Sequence, residues 1–190
     1  MRRQLEPSEE AALVRQARQD PAQFGQLYRA YVERVYAYVA YRLKHRQEAE
    51  DLTAAIFMQA LRRLPQYDPT RGSFSAWLFG IARHAILDYW RRDSHQDATV
   101  LEHGAVPALE TSPEQSTIRS EQAAYVRQMI ALLPDRRQEV VVLKFFGGLR
   151  NKEIAAVLHL DERTVASHLS RALDDLKKLL VEEEWHDTTS

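Results

Sequence analysis

The chain has 190 residues and no cysteine, enough for one domain or two small ones, and disulfides, thiolate metal sites and cysteine nucleophiles are excluded. Hydrophobic residues make up 45%, and Gly and Pro are scarce, which favours a mostly helical protein. No apolar run approaches the roughly 20 residues a membrane-spanning helix needs, and the start MRRQLEPSEE lacks a signal core, so no membrane insertion and a cytoplasmic location are expected. The formal net charge is −1, which implies weak non-specific DNA affinity. Its distribution is uneven: residues 1–93 carry an excess of Lys and Arg, residues 94–118 carry neither, and the remainder is nearly balanced.

Pro7 and Ser8 precede a short amphipathic helix to about Gln19, with Leu13 and Ala17 inward. Asp20-Pro21 then restarts the helix, Asp as cap and Pro at the first helical position. Phe24, Leu27, Tyr28, Tyr31, Val35, Tyr38 and Val39 recur at steps of three and four, which predicts a long aromatic core helix up to Leu43. A third helix is expected from about Gln47 to Leu64, ahead of Pro65. Its apolar side is Ala49, Leu52, Ile56, Phe57, Ala60 and Leu64, and Glu48, Glu50, Asp51 and Gln59 lie outside. Those acids either complement the helix dipole or form a docking edge for a basic partner helix.

The loop Gln66 to Phe74 is rich in turn formers and offers Ser73 or Ser75 as a cap for a helix over Ser75 to Asp93. Leu78, Phe79, Ala82, Ala85, Ile86 and Tyr89 form its inner arc, with Trp77, Arg83, His84, Asp88 and Arg91 on the other side and Trp90 and Arg92 at the margins. Rings interleaved with cations suit unpaired bases, each stack being worth about 1–3 kcal/mol. The plainer reading is that the tryptophans complete the core and the arginines are solvated.

Periodicity fails between Asp93 and Thr111, which reads as an acidic linker. Ser112-Pro113-Glu114-Gln115 gives cap, Pro and capping-box partner, starting a helix to Leu133. Asp135 opens the next, with Val140, Val141, Leu143 and Phe145 directed into a second core before Gly147-Gly148. From Asn151, a cap candidate, Ile154, Ala155 and Leu158 mark a short helix; a break at His159, Leu160 and Asp161 leads into a longer one striped by Val165, Leu169, Ala172 and Leu176. Two helices joined so tightly cross steeply, which is either an ordinary hairpin or a helix-turn-helix that presents its second helix to a major groove. The outward Arg163, Ser167, Ser170 and Arg171, with Thr164 and His168 on one flank, suit base edges and phosphates. The terminal EEEWHDTTS is expected to fray, and the acidic runs, Asp174-Asp175 included, read as solvated. Phosphate loops, nucleophile elbows and paired-histidine metal motifs are absent from the sequence, so neither catalysis nor a cofactor or metal is expected.

The segments Ala49 to Leu61, Phe74 to Arg92, Ser112 to Glu114, Ala131 to Leu149 and Asn151 to Leu173, in that order, resemble the extracytoplasmic-function (ECF) group of bacterial sigma factors. The resemblance implies an all-α protein of two small helical domains, 1–93 and 112–190, joined by a flexible linker, 94–111, the C-terminal domain being a helix-turn-helix. It implies a subunit that binds core RNA polymerase and directs it to promoters. On the family's pattern Glu48, Asp51, Leu52, Phe57 and Gln59 dock on the β′ coiled coil. Trp77, Arg83, His84, Asp88, Arg91 and Arg92 serve the minus-10 element, where a base is flipped from the strand. Arg163, Thr164, Ser167, His168 and Arg171 serve minus-35 duplex, the same domain leaning on the β flap. An anti-sigma partner is also implied. The runner-up is a stand-alone helix-turn-helix regulator. His159 stands where relatives commonly have Gly, in a turn that needs left-handed backbone; Ala166, His168 and Ser170 replace frequent basic residues, and Gly80 and Ile81 stand where primary sigma factors carry melting tryptophans.

Overall fold

The structure, a computed structural model, describes residues 5–43, 45–96 and 116–187. It contains eight α-helices and two short 3-10 turns among those residues, and no strand. The first four helices are α1 (Pro7–Gln19), α2 (Phe24–Arg42), α3 (Arg46–Arg63) and α4 (Phe74–Gln96). The second four are α5 (Ser116–Ala131), α6 (Asp135–Phe145), α7 (Asn151–Leu158) and α8 (Glu162–Asp187). No described helix is long and apolar enough to cross a membrane.

In the first half, the Asp20 carboxylate accepts from the Ala22 amide at 3.0 Å, so Asp20 caps as the sequence indicates, but Pro21–Gln23 forms a 3-10 turn and α2 itself begins at Phe24. Leu27, Tyr31, Val35 and Tyr38 of α2 are fully buried and meet Ile56 and Ala60 of α3 and Leu78 and Phe79 of α4 in the core. Thr53 is buried among them because its hydroxyl donates to the Ala49 carbonyl one turn back, at 2.7 Å. The Tyr67 hydroxyl donates to the Gly72 carbonyl at 2.8 Å and closes the loop before α4. The Glu10 carboxylate of α1 then accepts from the Phe74 amide at 2.9 Å, the Ser75 amide at 3.3 Å and the Tyr31 hydroxyl. A carboxylate at two orphan N-H groups of a helix start satisfies both and complements the dipole. Burial and the neighbouring Glu10 raise the Tyr31 phenol far above its ordinary pKa, so it stays a donor.

Several expectations are corrected. Helix α4 starts at Phe74, with the Ser73 hydroxyl accepting from the Ala76 amide at 3.2 Å, and it continues through Gln96 into the segment read as linker. The rest of that linker and the helix start at Ser112 lie outside the described residues. Helix α5 ends at Ala131, not Leu133, because Pro134 disfavours helical backbone before it and the last amides, Leu132 and Leu133, bond three residues back. In α6 the four consecutive residues Val140 to Leu143 are buried while Phe145 is 59% exposed. Because α6 packs on α8, α7 and α2, Val142 is buried beyond the residues expected, while Phe145, the last residue of the helix, is left outside the core. Asn151 is not the cap of α7: it accepts from Lys144 Nζ at 3.0 Å, and Arg150 takes the cap position, its amide donating to Glu153 at 2.7 Å. Asp175 is not solvated but pairs with Arg137, tying α8 to α6. The tail read as frayed is helical through Asp187. The two cores are one continuous cluster, which includes Phe79 of α4 together with Leu143, Leu149 and Ile154.

Candidate nucleic-acid and polymerase interfaces

The helix-turn-helix is set by two backbone conformations. Gly148 lies at φ 63, and amides from Gly147 and Leu149 return to the Val142 and Leu143 carbonyls at 3.0 and 3.1 Å, ending α6 and redirecting the chain into α7. His159 lies at φ 55, ψ 46, left-handed as its place in the turn requires, with Leu160 N bonded to the Ala155 carbonyl at 2.9 Å. Asp161 caps α8, accepting from the Thr164 amide at 2.7 Å and its hydroxyl at 2.6 Å; those bonds hold the carboxyl below the ordinary Asp value. Val165 and Ala172 are fully buried, which turns Arg163, Ser167, Ser170 and Arg171 to solvent. Thr164 and His168 are half-buried at the edge, and the Thr164 hydroxyl is engaged by Asp161. The His168 imidazole is pushed below its ordinary value by burial first and then by Arg136, Arg137 and Arg171. Arg136 and Arg137 of α6 thus stand near this face with Arg171 of α8, Arg136 beside Glu139 and Arg137 paired with Asp175.

Helix α4 distributes its candidates over different surroundings. Trp77 is half-buried, its ring 5.3 Å from Tyr67 and 5.5 Å from Phe74, so it extends an aromatic cluster from the core to the surface. His84 is exposed, with Nδ1 2.7 Å from the Gly80 carbonyl; Asp88 and Arg91 form a surface ion pair one turn apart; Arg92 is exposed. Arg83 is turned away from these, its Nε 2.8 Å from the Glu139 carboxylate of α6. Trp90, at the margin, has the Arg42 guanidinium 5.9 Å from its ring centre.

On α3, Asp51 is exposed, and Leu52 and Gln59 are half-buried. Glu48 is held by the Tyr89 hydroxyl at 2.6 Å, which ties α3 to α4. Phe57 is buried and meets Tyr28 edge-on at 4.8 Å, so it supports the surface while Tyr28 and Met58, 42% and 55% exposed, present it. Tyr28 was read as a core residue because it shares the three-and-four spacing of the buried residues of α2, and Met58 was not singled out.

The contact between the halves was also missed. Arg34 of α2 donates from Nε to the Gly147 carbonyl at 2.8 Å and from Nη2 to the Gly148 carbonyl at 3.0 Å. The Ser73 hydroxyl, at 3.2 Å, and the Ser75 hydroxyl donate to Glu153 of α7. Nothing in the sequence flags these pairs, since their partners lie 78 to 114 residues apart.

Comparison with known proteins covers both halves. Residues 27–96 match Sigma-70 region 2, and residues 123–176 match Sigma-70, region 4. The ECF RNA polymerase sigma factor BldN of Streptomyces coelicolor is 34% identical over 158 residues; the match takes in 83% of this chain and 60% of BldN. RNA polymerase sigma factor YlaC of Bacillus subtilis is 33% identical over 156 residues, covering 80% of this chain and 88% of YlaC. Among solved structures, CnrH in complex with the cytosolic domain of CnrY matches with a TM-score of 0.65 and 25% identity, over 95% of this chain and 99% of that one. The sigma factor RpoE of Bartonella quintana, in complex with the anti-sigma factor NepR, shares the fold with a TM-score of 0.63 at 22% identity, over 83% of this chain and 96% of that one. With both regions matched in their order and relatives a third identical over most of their length, the chain belongs to the extracytoplasmic-function group of sigma-70 family RNA polymerase sigma factors.

Proposed function

We propose that this chain is an alternative sigma factor that binds core RNA polymerase and directs promoter-specific transcription initiation, with no catalysis of its own. The observation that carries the reading is the pairing, in one chain, of a region 2 whose α4 offers an aromatic and basic outer edge with a region 4 whose α8 presents Arg163, Ser167 and Arg171 to solvent. Residues 1–93 and 112–190 are the working units. The exposed side of α3, with Glu48, Asp51, Leu52 and Gln59, engages the polymerase β′ coiled coil, and Phe57 acts by supporting Tyr28 and Met58. Trp77, Arg83, His84, Asp88, Arg91 and Arg92 act at the minus-10 element, where the half-buried Trp77 ring is a candidate to stack on an unpaired base. Arg163, Thr164, Ser167, His168 and Arg171 act at minus-35 duplex, and the β flap supports the same domain. Modest net charge fits this division, because the polymerase supplies much of the affinity for DNA. The chain works in the cytoplasm, where its DNA and polymerase are. An anti-sigma protein is the expected regulator, as NepR is named for RpoE.

Co-purification with core polymerase and run-off transcription test the reading. A sigma factor converts core polymerase to a promoter-dependent enzyme and yields start sites that share upstream elements. Tight binding of the chain to duplex DNA without polymerase, and no start sites in its presence, would show a stand-alone regulator instead.

A further inference from the structure

Five exposed arginines surround the loop that leads into α4. Arg15 and Arg18 lie one turn apart on α1, Arg62 and Arg63 close α3, and Arg71 belongs to the loop itself. The Arg18 guanidinium donates from Nη2 to the Pro65 carbonyl at 3.2 Å, which sets the end of α1 against the end of α3. Asp68 shapes the loop: its carboxylate accepts from the Thr70 amide at 2.9 Å and the Thr70 hydroxyl at 2.7 Å, and its carbonyl accepts from the Arg71 amide at 3.1 Å. The bonds to Thr70 first, and Arg71 and Arg18 after them, hold the Asp68 carboxyl below its ordinary value, so cations from α1 and from the loop stand near one carboxylate.

The helix dipole favours a cation at each C-terminus, and that accounts for Arg18, Arg62 and Arg63 taken singly. It does not account for two helix ends meeting at one loop that adds Arg71. Among the described residues, no carboxylate pairs with Arg15, Arg62, Arg63 or Arg71. The two acids of these segments, Asp20 and Asp68, are each turned to a backbone amide. Tyr67, next to Asp68, packs its ring 5.3 Å from that of Trp77. In the opposite direction from Trp77, α4 carries His84, Asp88, Arg91 and Arg92, the last about 22 Å along the helix. A strand running along α4 with a base at Trp77 therefore meets the arginine surface next. Cations beside an aromatic ring suit a single strand, because charge follows the backbone whatever the sequence. Arg15 and Arg18 also lie ahead of residues 27–96, the part matched to Sigma-70 region 2.

We propose that Arg15, Arg18, Arg62, Arg63 and Arg71 form a phosphate clamp for the unpaired strand beyond the base at Trp77, gripping its backbone without reading its sequence. The proposal rests on the sigma-factor reading above. Each phosphate neutralised on a single strand releases counterions, so the grip weakens with salt at a log-log slope of about 0.7 per contact.

The full-length chain assembled with core polymerase tests the clamp on two forked promoter probes. In one the non-template strand ends just past the base at the minus-10 element, and in the other it runs on for roughly ten nucleotides. The extension is expected to raise wild-type affinity and steepen its salt dependence. Arg15→Ala, Arg63→Ala and Arg71→Ala combined lower that slope by about 2 on the extended probe and leave the short probe unchanged, and lysine at the same three positions restores it. Neutral methylphosphonate linkages in the extension do to the wild type what the three alanines do, which reads the clamp without altering the protein. Equal wild-type binding of the short and extended probes overturns the clamp, as does the same loss of slope on the short probe in the triple variant. Weaker retention of core polymerase by the triple variant without DNA makes the surface a polymerase contact and overturns it too. A wild-type chain that forms no polymerase complex on either probe overturns the sigma reading itself, and the clamp with it.

Discussion

At the scale of single residues, the helix-turn-helix depends on His159 holding a left-handed backbone at φ 55. A residue with a Cβ sits there at a cost of about 1–2 kcal/mol, partly offset because glycine loses more entropy on folding. His159→Gly is therefore expected to raise stability by about 0.5–1 kcal/mol in urea unfolding, while His159→Val lowers it. His168 provides a second prediction. Its folded pKa is lowered by burial and by Arg136, Arg137 and Arg171, so the unfolded chain takes the proton more readily. Stability from the neutral imidazole is then full above the unfolded value, about 6.5, and declines as pH falls through it until the folded pKa is reached. Carbon-proton NMR should place the His168 midpoint below that of an unfolded-peptide histidine, and Arg171→Ala should move it up. The strained turn was legible through the family resemblance, since His159 stands where relatives commonly have Gly. The half-burial of Trp77 was not, because the Tyr67 ring that covers it is returned by a loop closure the sequence pattern does not encode.

Elements show the same division. Periodicity located α3 within one residue at each end and the end of α2 within one, while α2 starts at Phe24, three residues after the expected Pro21, behind a 3-10 turn. It was incomplete for α6, which packs on α2 of the other half as well as on α7 and α8 and buries Val142 besides the residues expected, and it misassigned Phe145, the last residue of that helix. Helix α4 depends on a residue 64 positions away, the Glu10 carboxylate at its first amides. Glu10→Ala leaves the buried Tyr31 hydroxyl and the Phe74 and Ser75 amides without that acceptor. A loss of about 2–3 kcal/mol is expected, read as a lower denaturant midpoint at constant slope. Glu10→Gln, which keeps an acceptor, should lose less. An unchanged midpoint for Glu10→Ala would remove α1 from any part in holding α4.

For the whole molecule, the two DNA surfaces should separate by step. Arg171→Ala is expected to weaken dependence on the minus-35 element, with discrimination reduced by about 1–3 kcal/mol, and to leave strand opening once bound nearly intact. Trp77→Ala is expected to do the reverse, read as slower appearance of permanganate-reactive thymines at unchanged minus-35 protection. Equal effects of both substitutions on both steps would overturn the assignment. The sequence by itself determined the helical class, the order of the elements, the helix-turn-helix and the two-region family pattern, because these rest on local spacing, capping and turn residues. Only the tertiary structure decided that one core runs through both halves, that Arg83 faces Glu139, and that Arg34 grips the Gly147-Gly148 turn. Such pairings join residues distant in the chain through single hydrogen bonds and ring contacts, which leave no periodicity in the sequence to read.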